Sequence, residues 1–579
     1  MAEKGFVCEG ERSNRDGKEN LQMNQPAERK FFSLKRLASW MPILLFGFAV
    51  AFSIFTAYFY SLHLLDSDAS SELVLANLLA RQGALLSTDW YYSNEIRLLQ
   101  TNLIFAPLFT IFSDWHTVRF VGTVIMQGLL LLSYGYVCRQ MKLSKRAFFC
   151  TATILILPFS VPYGRIVLFH TYYLPYCILG FLLVGLFLSA VHHSGKSFSA
   201  GQWLRVACGI LLSFGSGLTG VRQLMSTLVP LLIVTAFLIL NEDKKPEATE
   251  KKAKKFAMLL AFCMLLAGGV GFVINNEVLS KVYSLRVFDE IKLSFADAED
   301  MMNMLLAYLK QFGFQTERRL LSLGGMLACG SLFVAIYLAV SGWGFLKRPD
   351  RAAMANGYAR VFFPVAVLLM MGIFVFTQGN QHYILYFLPV IIWGCPMLAA
   401  LLDEEIFSER FHLKTISLRQ LSLLLSVMLL FANGCYNNLF FLDPDDKLVA
   451  YEGLGWQETD TIYRLEGVVE FLEENEYTHG YASFWNANIV AELTNGKVSM
   501  SGIILVENAM VYHDWLSVKH YREREYAEQQ TPFLLLTHGE VDAFMQTTPA
   551  EAAYDVYYDD FYVIYEFENP LEMWEHLDG

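Results

Sequence analysis

Runs of about twenty apolar residues recur along this chain, and a run of that length has few stable homes. As a helix it spans the hydrocarbon thickness of a bilayer. Within a bilayer only helices and closed barrels satisfy their own backbone hydrogen bonds. A window of about 19 residues finds eleven such runs, near 39–65, 117–138, 147–168, 172–191, 203–219, 223–240, 256–275, 325–346, 361–378, 383–402 and 417–436. The fifth and sixth flank the Gly-rich "SFGSGLTGVRQ" and read as two helices or one kinked region. Charged residues make up 17% of the chain and hydrophobic ones 54%, with mean hydropathy +0.36. Ordinary soluble domains carry about a quarter charged residues. The expected class is therefore mostly α, a polytopic membrane protein with about eleven transmembrane helices.

Basic residues fix the expected orientation, because cytoplasmic loops collect Lys and Arg. The loops "RQMKLSKR", "HHSGKSFSAGQ", "NEDKKPEATEKKAKK", "LKRPDRAAMANGYAR" and "DEEIFSERFHLKTISLR" hold most of them. The alternate loops "GRIVLFHT", "GLTGVR" and "QGNQH" hold one or none each. This alternation predicts N-in and C-out. It makes residues 1–38 a polar, disordered cytoplasmic tail and 39–436 a transmembrane domain with outside loops 66–116 and 276–324. The first span is too long for a signal-peptide core, so it reads as an uncleaved anchor of a multi-pass plasma-membrane protein. In loop 276–324, Met301, Met304, Leu305 and Tyr308 recur at helical spacing, predicting an amphipathic helix at the interface. A lid over a site is the alternative.

Residues 437–579 are not membrane-like and predict a small extracytoplasmic α+β domain. "LEGVVEFLEENE" reads as a helix, "GYASF" and "KVSMSGIIL" as strands, and "TPFLLLTHGEVDAFMQ" as a strand followed by a helix. "AAYDVYYDDFYVIYEFEN" reads as two strands around a turn. The net charge of −12 and the absence of a basic, aromatic-laced patch give no sign of nucleic-acid binding. Nine scattered cysteines show no CxxC or Cys/His spacing, which argues against a structural zinc site.

The chemistry-bearing stretch is "LLDSDASSELVLANLLARQGALLSTDWYYSNEIR", residues 64–97, which places Asp66, Asp68, Glu72, Asp89 and Glu95 beside the bilayer. Asp68 reads as the N-cap of a helix from Ala69 to about Gln82, with Gly83 past its end. Leu73, Ala76, Leu79 and Ala80 form the apolar face of that helix, and Glu72 and Arg81 the wet one.

A long first outside loop holding an Asp, a short helix and a Gly resembles the C-type (GT-C) superfamily of membrane glycosyltransferases. In the pattern of that loop, Asp is followed by a polar or aromatic residue, Ala, Leu and Gly; the matching positions here are Asp68, Glu72, Ala76, Leu79 and Gly83. Asp68 fits the register better than Asp66. "NQHYILYFLPVIIWG" is similar to the aromatic-Pro opening of a late span in these enzymes. The resemblance implies a transferase that takes a sugar from a polyprenyl-phosphate donor and passes it to an envelope glycan, lipid or protein acceptor. It implies Asp68 as general base; a second carboxylate, where one is used, would come from Glu95, Glu72 or Asp66. A divalent metal, Mg or Mn, is left open. The second outside loop of the family often carries another acid, whereas "YGRIVLFHTYYLP" offers Arg165 and His170 instead, which weighs against a two-acid metal site.

A departing phosphate needs cations or N–H donors. Arg222, in the Gly-rich turn, is the first candidate, because glycine permits close approach and Arg matches phosphate geometry. Arg165, His170 and His382 follow, and Glu72, Trp90 and Tyr91 complete the candidate substrate-binding set. Each has a plainer reading: a snorkelling Arg, an interfacial hydrogen-bonded His, or a ring of the interfacial aromatic belt. Two other functions compete. A transporter or flippase of lipid-linked saccharides expects ionisable residues at mid-membrane and repeated halves, and the spans show neither. A non-catalytic envelope scaffold predicts no polar cavity beside Asp68.

Overall fold

The computed structural model describes residues 34–60, 62–63, 65–192, 199–240, 248–286, 292–315, 319–346, 354–378, 383–408, 416–441, 460–506 and 509–578. The chain divides into two units, Met1–Met41 and Pro42–Gly579. Of the first, the described part is the opening of helix α1 (Leu34–Tyr60), so 34–38, expected in the tail, are helical. The remainder of that tail and residues 442–459 of the expected C-terminal domain lie outside the described residues, and 437–440, expected in that domain, instead close the helix Leu418–Phe440.

Helices dominate the second unit. Among the described residues eight are long and apolar enough to cross a membrane, beginning at Trp40, Trp115, Leu174, Lys251, Leu323, Asn356, Tyr383 and Leu418. The chain is thus a multi-pass integral membrane protein. Three of the expected eleven runs, 147–168, 203–219 and 223–240, are helical but fall short of that length or hydropathy. The reasons are local. The run 147–168 is not one helix: α5 (Lys145–Ile156) stops two residues before Pro158, and a π-helical turn, Tyr163–Phe169, follows. The run 223–240 opens with a second π-turn, Leu224–Leu228. The span from Tyr383 breaks at Ile392–Trp393 into Tyr383–Ile391 and Gly394–Glu405, with Pro389 and Pro396 flanking the break.

Glycine sets one close packing. The helices Ala200–Gly217 and Ala248–Glu277 run against each other. A methyl group on Gly217 would fall 1.9 Å from the carbonyl oxygen of Gly268, and one on Gly271 2.2 Å from that of Phe214. Small residues that let backbones touch are how helices associate where lipid removes the hydrophobic drive.

The first long loop carries α2 (Ser67–Gln82), strand β1 (Trp90–Tyr92), α3 (Asn102–Phe109) and the approach to α4 (Trp115–Gln140). The expected helix of loop 276–324 is Ala298–Lys310, and it leaves Met301, Met302 and Leu305 exposed. In the C-terminal domain a seven-stranded sheet is crossed by helices, as the alternating patterns predicted. Parallel strands β2 (His479–Ser483), β3 (Ser499–Val506) and β5 (Pro532–Thr537) form its centre. The hairpin β6 (Ala553–Tyr558) and β7 (Tyr562–Phe567) extends one edge. Two short strands, β4 (Ala509–Tyr512) and β8 (Leu577–Asp578), complete the other.

Buried polar ties join this domain to the first loop. The helix Phe484–Leu493 packs on α2. Its Glu492 accepts two hydrogen bonds from Arg119 of α4, at 2.5 and 2.6 Å, and the same guanidinium donates to the Ala69 carbonyl at 3.1 Å. Arg119 is fully buried and Glu492 nearly so. Ser67 donates its hydroxyl hydrogen to the Phe484 carbonyl oxygen. Further along, β1 pairs with Ser517–Val518, and the Asp89 carboxylate takes the backbone N–H of His520 at 2.9 Å and faces its ring at 2.5 Å.

A bidentate, desolvated Arg–carboxylate pair is costly to break from one side, because the survivor is a buried unpaired charge. Glu492→Gln is expected to lower stability by about 3–5 kcal/mol. The double change Arg119→Met with Glu492→Met should cost much less. Denaturant unfolding of the detergent-solubilised protein, read by the loss of near-ultraviolet ellipticity, measures both. A double variant as unstable as the single one would show that packing, rather than the lone charge, sets the cost.

Candidate functional site

The N-terminus of α2 organises the site. The chain is extended at Asp66, whose carboxylate accepts the Ala69 N–H at 2.8 Å, so Asp66 is the N-cap. This corrects the expectation that Asp68 caps a helix starting at Ala69. Ser67 is already helical, which places Asp68 inside the first turn. Gly83 ends the helix as expected, with φ +62° and its N–H returned to Ala80 and Leu79. Leu73, Ala76 and Leu79 are buried, as their spacing predicted. Glu72, expected on the wet face, is buried as well, because Thr101 donates its hydroxyl hydrogen to it and Arg97 lies 3.6 Å away.

The two aspartates have different surroundings. Asp66 is engaged from the second loop, where the π-turn Tyr163–Phe169 aims Arg165 at it. Arg165 Nη2 is 3.0 Å and His170 Nδ1 is 3.7 Å from Asp66 Oδ2. Burial alone would raise the Asp66 pKa; the Arg165 guanidinium, His170 and the Ala69 N–H outweigh it and hold the carboxyl well below the usual range. Asp68 is half-buried, and among the described residues its carboxylate has no hydrogen-bond or ion-pair partner. Burial pushes its pKa up to about 6, helped by the negative charges of Asp66 and Glu72 and opposed by Arg97 and Arg165. Burial likewise raises the Glu72 pKa against Arg97 and Thr101, and lowers that of His170 despite Asp66.

Behind this acidic turn stands a cationic and phenolic group. Arg222 sits among the rings of Tyr173, Tyr176 and Tyr386, at 5.5, 6.0 and 5.4 Å from their centroids. It forms an ion pair with Glu95, and the Asp68 charge acts on it. Glu95 also accepts the Val221 N–H at 3.3 Å. Gly220 makes that approach possible: its φ is +113°, and a methyl group there would fall 1.7 Å from Glu95 Oε2. The hydroxyls of Tyr173 and Tyr176 and the Nε atoms of Arg97 and Arg222 are buried without a hydrogen-bond partner among the described residues. Buried donors of this kind normally have partners.

The structure therefore brings Asp66, Asp68, Glu72, Arg165 and His170 together, with Arg222 and Glu95 paired behind them. Trp90 is fully buried in β1, and Tyr91 lies under Arg522 of the C-terminal domain, 4.4 Å from its ring centroid. His382 lies outside the described residues. Sequence reasoning missed Arg97 and Arg119, whose partners are set by the fold. The only available signal was an arginine inside the otherwise apolar "IRLLQ" and another within the fourth helix. Two of the carboxylates that a divalent metal could use are already engaged. Asp66 is engaged by Arg165, and Glu72 by Thr101 and Arg97. Among the described residues no three His, Cys, Asp or Glu side chains converge on one point.

The two aspartates should titrate far apart. Infrared difference spectroscopy of the carboxyl band is expected to give a midpoint near pH 6 for Asp68. Asp66→Asn keeps a competent N-cap but deletes the neighbouring charge, so the Asp68 midpoint should fall in that variant. An unchanged midpoint would assign the elevation to burial alone.

No protein family matches the chain, and no curated protein sequence does. Solved structures do match. ArnT from Cupriavidus metallidurans in the apo state superposes with TM-score 0.54 at 10% identity, over 94% of this chain and all of that one. The same protein bound to undecaprenyl phosphate gives TM-score 0.53 at 12% identity, over 91% and 98% of the two chains. The Archaeoglobus fulgidus oligosaccharyltransferase tethered to an acceptor peptide is a looser likeness, with TM-score 0.44, 12% identity and coverage of 92% and 75%. The polytopic architecture with its small C-terminal sheet domain is thus the fold of ArnT.

Proposed function

We propose that this chain is a membrane glycosyltransferase that moves a sugar from a polyprenyl-phosphate carrier to an acceptor hydroxyl on the extracytoplasmic side. The observation that carries the reading is the Asp68 carboxylate. It is half-buried and unpartnered among the described residues, and near it the Nε atoms of Arg97 and Arg222 and the hydroxyls of Tyr173 and Tyr176 are buried without a hydrogen-bond partner among the described residues. The ArnT fold, solved with undecaprenyl phosphate, supports a lipid-phosphate ligand. The distribution of basic loops supports N-in and C-out, which puts the first loop and the C-terminal domain outside.

In this reading Asp68 accepts the acceptor O–H proton as the oxygen attacks the anomeric carbon. The bond from that carbon to the phosphate oxygen breaks, and its electron pair leaves with the lipid phosphate. Preformed donors stabilise the charge that develops there, and Arg222, Arg97 and the Tyr173 and Tyr176 hydroxyls are placed to serve. Asp66 is the poorer base, because Arg165 and the helix N-terminus already stabilise its ionised form. It acts by holding the second loop against the first. Glu95 acts by holding Arg222. A base with a pKa of about 6 is ionised at neutral pH and still near the operating range, so transfer should fall as pH drops through 6.

The test is transfer of radiolabelled sugar from an undecaprenyl-phosphate hexose to endogenous acceptors in membranes carrying the protein. Asp68→Asn should lower the rate by about 10²–10⁴-fold, and Asp66→Asn by less. Undecaprenyl phosphate binding by the purified protein should survive Asp68→Asn and weaken by about tenfold in Arg222→Gln, a loss of roughly one charged hydrogen bond. Undiminished transfer by Asp68→Asn would remove Asp68 from the chemistry. Failure of the unmodified protein to bind undecaprenyl phosphate would overturn the lipid-phosphate reading itself.

A further inference from the structure

A cleft of about 440 Å³ opens between α2 and the C-terminal domain, away from the Asp68 cluster. Asn77 follows Asp68 by nine residues, about two and a half helical turns, so the cleft borders the other side of α2. Its volume lies in the range of about 300–1,000 Å³ that small ligands occupy.

Three polar α2 side chains line it, Asn77, Arg81 and Gln82, beside the apolar Val74 and Leu78, and none of the three makes a hydrogen bond or ion pair among the described residues. Facing them are Tyr521 and Tyr526, whose rings stack with centroids 5.1 Å apart at 28°. The Tyr526 hydroxyl is anchored on Ser499 at 2.6 Å, whereas that of Tyr521 has no partner among the described residues. Gln530 accepts from the Thr478 hydroxyl at 2.6 Å through its carbonyl and keeps its amide hydrogens for a ligand. Asp89 accepts the His520 backbone N–H at 2.9 Å and faces its ring, and Lys497 pairs with Glu473 at 2.9 Å. Arg81 makes no ion pair among the described residues.

We propose that this cleft binds an acidic saccharide. A sugar ring presents an apolar C–H face and a fringe of vicinal hydroxyls. The tyrosine pair offers a rigid amphipathic wall for the first. The side-chain amides of Asn77, Gln82 and Gln530, each able to donate and accept, serve the second. The planar fork of Arg81 matches a carboxylate bidentately. An elongated peptide finds less here, because the cleft offers side-chain groups rather than an open strand edge. Under the transferase reading the cleft would tether an acceptor glycan beside α2; that role rests on the reading, whereas the binding itself does not.

The experiment uses full-length protein in detergent micelles, both unmodified and as Asp68→Asn, with isothermal titration of trigalacturonate, maltotriose and triglutamate. Trigalacturonate should bind, with the same affinity in Asp68→Asn. It should lose about tenfold or more in Arg81→Ala, a change at an exposed side chain, and in Tyr521→Ala, where an unchanged circular dichroism spectrum checks that this partly buried, packed position still folds. Maltotriose and triglutamate should each bind at least tenfold more weakly. No binding of trigalacturonate, or binding indifferent to Arg81→Ala and Tyr521→Ala, would overturn the proposal. Maltotriose binding equally well would overturn its acidic part, and triglutamate binding equally well its saccharide part. Because Asp68→Asn removes transfer but not this binding, failure of the cleft and failure of the transferase reading are told apart.

Discussion

The architecture turns on one buried guanidinium. Arg119, at the start of a membrane-crossing helix, holds Glu492 of the C-terminal domain with two hydrogen bonds and the backbone of α2 with a third. The third bond ends on Ala69, next in sequence to Asp68. Ser67, on its other side, is tied to Phe484. Asp68 therefore sits between two residues whose positions the C-terminal domain sets. That domain is part of the scaffold of the site and not an appendage to it. Ion pairs so thoroughly desolvated contribute little net stability compared with apolar packing, so their value here lies in fixing geometry.

A second consequence follows from how the loops meet. The resemblance of the first loop leads one to look for an acid in the second, and the chain supplies Arg165 and His170. The structure shows what this exchange does. The cation neutralises Asp66, fixes the helix N-terminus, and leaves Asp68 as the carboxylate with basicity to spare. Two aspartates separated by one serine thus acquire different electrostatics from their partners alone. The same division of labour appears at Glu95, an acid drawn into holding Arg222 through a turn that only Gly220 allows.

Much of this was legible in the sequence, because hydropathy and turn chemistry are local. The long apolar runs, Gly83 as the helix stop and the strand–helix alternation after residue 460 all rest on a few neighbouring side chains. The N-cap was assigned to Asp68 because "DSD" offers two equivalent caps, and only the backbone at Asp66 decides between them. The run 147–168 looked continuous because Pro158 and Pro162 lie inside an otherwise apolar stretch. Glu72 looked wet because its partners, Thr101 and Arg97, are far along the chain, and Arg119 pairs with a residue 373 positions away. Tertiary pairings of this kind leave no period for a sequence pattern to reveal.

The glycine contacts between the helices Ala200–Gly217 and Ala248–Glu277 reach further than their packing. The first of these helices runs directly into the Gly220–Arg222 turn. The second sends Asn275 to the carbonyls of Ile96 and Leu218, at 2.6 Å each. The arginine and the strand of loop that carries Arg97 are therefore indexed to a seam where two backbones touch. A single added methyl at Gly217 or Gly271 would act as a wedge, prising the helices apart and carrying the cationic half of the site away from the acidic half. Two residues that carry no chemistry at all should thus tolerate substitution poorly.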